Sequence, residues 1–70
     1  MNQIMAIYQD FIGNYVFQLI NINYTGNLKE QVRHLFQTCS HIDRCGYDPA
    51  RFDEVYDWAL NKYAPSRKGV

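Results

Sequence analysis

Apolar residues recur with a helical period along the first third of the chain. Residues 3–23 read QIMAIYQDFIGNYVFQLININ. On a wheel turned by about 100° per residue, Ile4, Met5, Ile7, Tyr8, Phe11, Ile12, Tyr15, Val16, Leu19 and Ile22 share one half. Gln3, Gln9, Asp10, Gly13, Asn14 and Asn21 share the other half, and Phe17, Gln18 and Ile20 depart from the sorting. The competing pattern is a hairpin turned at Gly13-Asn14, because YVFQLININY is rich in strand formers. Folded that way, both faces come out mixed. A helix separates apolar from polar positions and a hairpin does not, so the spacing predicts a first helix over 3–23. Gly13 costs such a helix about 1 kcal/mol relative to alanine, which points to a kink or a close helix contact there.

Two shorter helices follow. Residues 23–26, NYTG, read as a loop, and Asn27 as a helix cap with Glu30 at the third helical position, a variant of the capping box. Leu28, Val32, Leu35, Phe36 and Cys39 then form an apolar stripe, predicting a second helix over 28–39, with Lys29, Glu30, Arg33, His34 and Gln37 outside the stripe. After the connection SHIDRCGY (40–47), where Gly46 suits a positive φ, Asp48-Pro49 is a helix start: a capping acid followed by proline at the first helical position. Phe52, Val55, Tyr56, Ala59, Leu60 and Tyr63 lie on one face of a third helix over 49–63, which Pro65 stops. The fold class expected is all-α: a small three-helix domain over 1–65 with a flexible basic tail, SRKGV, at 66–70.

Composition narrows the function classes. The chain has 70 residues, 47% hydrophobic and 16% aromatic, so it is a folded domain with a core of marginal size. Lys plus Arg and Asp plus Glu number seven each, and this neutral balance argues against general binding to phosphate backbones. Polar residues interrupt the first apolar run and no positive region precedes it, so neither a secretory signal nor a membrane span is expected. The expected location is the cytoplasm, where Cys39 and Cys45 stay reduced.

Several residue groups could carry chemistry. Cys39, His41 and Cys45 are zinc-ligand types in a C-x-H-x3-C spacing, but structural zinc takes four ligands and the chain's other histidine is His34. Cys39 also lies on an apolar stripe, where a thiol behaves as a small hydrophobe. No metal and no cofactor is expected; a metal- or redox-responsive element at these three residues is the second alternative. A thiol nucleophile with His41 would need a cleft that 70 residues hardly provide, so the chain is not expected to be an enzyme.

Lys29, Arg33, His34 and Arg44 make a basic edge that could serve a small DNA-binding regulator, the first alternative. The connection between helices is longer than the three or four residues of a helix-turn-helix. Trp58 lies off the apolar stripe of the third helix, aligned with Arg51 and Lys62. A tryptophan flanked by cations is an anchor type at protein interfaces, and Asp53 and Asp57 beside Glu54 add steering charge.

The first helix has one more feature. Its polar half is nearly uncharged, whereas a solvated face usually carries Lys and Glu. Glutamine, asparagine and glycine suit a face against which another helix lies. From this pattern the domain is expected to dimerise through the first helix, with Ile4, Tyr8, Phe11, Tyr15 and Leu19 in the contact. The leading function is a small non-enzymatic interaction protein (an adaptor, inhibitor or regulatory subunit, of a kind common in bacteria and phages) that occupies a partner surface through Trp58, Arg51, Lys62, Asp53 and Asp57.

Overall fold

The computed structural model describes residues 3–39, 42 and 46–65. Three α-helices are described: α1, Gln3–Asn21; α2, Leu28–Gln37; and α3, Pro49–Tyr63. No strand occurs among the described residues. Each of the three predicted helices is present among the described residues, and α3 has the predicted bounds. The tail at 66–70 lies outside the described residues, as do His41, Arg44 and Cys45.

The first two helices end two residues earlier than their apolar patterns do. Asn23 takes a positive φ of 55°. The Asn23 amide donates to the Ile20 carbonyl (3.0 Å) and the Tyr24 amide to the Leu19 carbonyl (3.0 Å). These are the two bonds of a Schellman motif, with asparagine in the left-handed position that glycine usually takes. Of the positions whose side chains meet in that motif, Leu19 belongs to the core cluster and Tyr24 packs against it. At the end of α2, the Thr38 hydroxyl donates to the carbonyls of His34 (3.0 Å) and Leu35 (3.1 Å).

Both predicted caps are formed. Asn27 Oδ1 accepts from the Glu30 amide at 3.0 Å. The Glu30 carboxylate, however, pairs with Arg33 on its own helix, and no reciprocal capping-box bond exists among the described residues. At α3, Asp48 Oδ1 accepts from the amides of Ala50 (3.0 Å) and Arg51 (3.4 Å), with Pro49 at the first helical position.

Helix α1 is the central element and packs chiefly against α3, then α2. Tyr8 meets the start of α3 through the Asp48 amide, Gly13 faces Trp58 and Tyr63, and Phe17 touches Tyr63. The contacts advance in the same direction along both helices, so α1 and α3 run parallel. Lys29 reaches Asp53 and Tyr56, while Phe36 meets Phe52 and Tyr47. That order reverses, so α2 runs antiparallel to α3. Tyr8, Ile12, Val16, Val32, Phe36, Phe52, Val55 and Ala59 fill the core between them.

Tyr8 joins two layers of this packing. Its ring is fully buried and meets Phe36 edge-on at 4.7 Å. Its hydroxyl donates to the Gly46 carbonyl (3.0 Å) and accepts from the Asp48 amide (2.8 Å). One side chain of α1 thereby holds the segment that starts α3, in which Gly46 has the positive φ of 82° that glycine adopts at little cost.

Candidate interaction site

The sequence pattern placed Gly13 on the polar half of the first helix, yet it is buried. The reason is α3. Trp58 and Tyr63 lie over Gly13, and a Cβ added there would meet each ring at 3.6 Å, ordinary van der Waals distance. The amide-and-glycine face of α1 is thus met, at its Gly13 edge, by the protein's own third helix. Gly13→Ala is expected to stabilise the domain by about 0.5–1 kcal/mol, because it restores helix propensity without a clash. A chemical-denaturation midpoint below that of the wild type would show that the close approach needs glycine itself.

Around Gly13 lies an open groove of about 310 Å³, lined by Gln9, Asp10, Asn14 and Phe17 of α1 and by Trp58, Lys62 and Tyr63 of α3. Trp58 is 39% exposed and Phe17 47% exposed. Phe17 leans edge-on against Tyr63 at 5.4 Å. The Lys62 ammonium lies 5.1 Å from the Trp58 ring and 5.4 Å from the Tyr63 ring. It rests on two aromatic faces, which attract a cation through their quadrupoles. Asp10 is exposed on the facing helix, and neither it nor Lys62 has an ion pair among the described residues.

The residues predicted for partner contact separate in space. Trp58 and Lys62 share the groove. Arg51 is half-buried, with its guanidinium 5.7 Å from the Tyr8 ring. Asp53 pairs with Lys29 at 3.2 Å on the side facing α2. Asp57 is exposed. The alignment of Arg51 with Trp58 along one face of α3 does not bring their side chains together, because the Tyr8 ring offers the guanidinium a nearer seat. Among the groove residues that were missed, Asp10 included, Phe17 is the largest exposed one. Its signal was its departure from the apolar arc of α1: a large aromatic on the polar half.

The residues predicted for self-association lie at different depths. Tyr8 and Leu19 are buried in the chain's own core. Ile4, Phe11 and Tyr15 are partly buried and pack against that core. The apolar arc is wide because two helices of the same chain share it.

The predicted basic edge is engaged internally. Lys29 pairs with Asp53 and lies 5.7 Å from the Tyr56 ring. Arg33 pairs with Glu30 and lies 5.3 Å from the Phe52 ring. Hydrogen bonding to Tyr47 and then to Glu30 raises the guanidinium pKa further above its ordinary value. His34 is exposed. Cys39 is half-buried and packs on the core beside Tyr15. Burial, and then the charge and hydrogen bond of Cys39, raise the Tyr15 pKa. No group of three metal-ligating side chains occurs among the described residues, but two members of the predicted Cys39, His41, Cys45 set lie outside them.

The described residues form a small all-helical fold with α1, α2 and α3 as its helices. No helix among the described residues is long and apolar enough to cross a membrane. Comparison with known proteins finds no matching family model, curated protein or solved structure.

Proposed function

We propose that this protein is a small, non-enzymatic, cytoplasmic interaction module that docks another protein surface on the groove between α1 and α3. Trp58 and Phe17 serve as anchors, and Lys62 and Asp10 as the charges that orient the docked surface. The observation that carries this reading is the exposure of two large aromatics, on neighbouring helices, around one hollow. A small domain with a marginal core gains stability by burying such residues, and tryptophan and other aromatics at the centre of an interface contribute much of its binding energy. The internal engagement of Lys29 and Arg33 favours this groove over the basic edge of α2 as the working surface.

The test is a pull-down with the wild type and Trp58→Ala in parallel, followed by reconstitution with each captured protein in purified form. Trp58→Ala is expected to keep its helical circular dichroism and to lose at least tenfold in affinity, the effect of an interface anchor. Equal affinity of the two for a reconstituted partner would remove the groove from the interface.

A further inference from the structure

We infer that the surface docked on the groove is that of a second copy of this chain, related by a two-fold axis that sets Asp10 of each copy against Lys62 of the other. The inference rests on the groove being an interaction surface and adds the identity of its occupant. The argument begins with charge. The groove carries one carboxylate and one ammonium on opposite walls, and neither has an ion pair among the described residues. An acidic partner would satisfy Lys62 and be repelled by Asp10, and a basic partner the reverse. A two-fold interface places residue i on residue j and j on i. A patch with one charge of each sign is therefore complementary to itself.

Shape agrees with charge. Phe17 stands exposed on the groove wall one turn beyond Gly13, whose own surface the Trp58 and Tyr63 rings cover. The same patch thus carries an exposed ring and an open groove, and two-fold docking would seat each copy's Phe17 in the groove of the other, beside Trp58. Lys62 need not leave its aromatic seat. An ammonium has three donors, so it can rest on the Trp58 and Tyr63 faces and still donate to a carboxylate from the second copy. This interface uses the opposite side of α1 from the Tyr8 and Leu19 face that the core consumes.

Charge reversal on the full chain, followed by sedimentation velocity, tests the inference. The wild type is expected to be dimeric and to dissociate on dilution. Trp58 is the only tryptophan, so its emission should shift to the blue as concentration rises and the groove closes. Asp10→Lys and Lys62→Glu each place like charges at both contacts, and each should weaken the dimer at least tenfold. Both positions are exposed, so helical content should not change. Mixed in equal amounts, the two variants regain opposite charges at both contacts and should form a heterodimer. A monomeric wild type at millimolar concentration would overturn the inference, as would single variants that dimerise like the wild type or a mixture that stays monomeric. A monomeric wild type would leave the comparison of Trp58→Ala with the wild type to decide the interaction surface separately.

Discussion

Phe36→Ala is expected to cost about 3–5 kcal/mol, the range for removing a fully buried phenylalanine. Domain stability runs at roughly 0.05–0.15 kcal/mol per residue, so for a chain of this length the loss is comparable to the whole. Phe36 is where the three helices meet. It is fully buried. It contacts Tyr8 of α1 at 4.7 Å, Phe52 of α3 at 6.2 Å and Tyr47 ahead of α3 at 6.4 Å. Truncation would leave a cavity bounded by three other rings, none of which can move in without breaking its own contacts. Urea denaturation followed by circular dichroism checks this. Phe36→Leu should retain more of the stability because it keeps most of the volume. An unfolding free energy for Phe36→Ala within about 1 kcal/mol of the wild type, well short of the loss typical of core truncations, would mean that the helices are held by other contacts.

Tyr8→Phe should cost about 1–3 kcal/mol, although it removes a single oxygen. That oxygen donates to the Gly46 carbonyl and accepts from the Asp48 amide. Without it, two backbone groups lose their partner in a part-buried position. The ring keeps its place against Phe36, so the loss isolates the polar contribution from the packing. The effect should be local as well as global: amide exchange in the first turn of α3 should accelerate more than in α2. If exchange rises equally everywhere, Tyr8 supports the core as a whole and has no special hold on the start of α3. Arg51 lies over the same ring and should keep its position in the variant.

The helices were legible in the sequence because each was specified locally and more than once. For α3, the capping acid, Pro49 and the apolar face at helical spacing all agree. For α2, Asn27 and the Val32–Phe36 stripe agree. Only the ends of α1 and α2 were misread, since apolar periodicity continues past Asn21 and Gln37 while the backbone turns. Asn23 in the left-handed region gave no clear signal, because asparagine is less specific for that position than glycine.

The candidate site was half legible. Trp58 and Lys62 are one turn apart on α3, and their pairing follows from helical spacing. The other wall of the groove lies on a helix separated from α3 by more than two dozen residues. A helical wheel shows which residues share a face and is silent on what lies opposite. For that reason Phe17 read as an exception, Gly13 as a polar-face residue, and Arg51 as a neighbour of Trp58. Tyr8 and Leu19 were assigned to a contact with a second chain for the same reason, because a wide apolar arc looks alike whether one chain or two will cover it.

By itself, then, the sequence determined the type and approximate bounds of the three described helices and which stripe of α2 and α3 faces inward. These depend on interactions within a few residues, where propensity, capping and period act. The tertiary structure decided that α1 packs against both other helices, and chiefly against α3. It also decided that α3 runs parallel to α1 and covers its glycine, and that Phe17, Trp58, Lys62 and Asp10 surround one hollow. Those outcomes come from packing side chains of distant segments at close density, a condition no local pattern encodes.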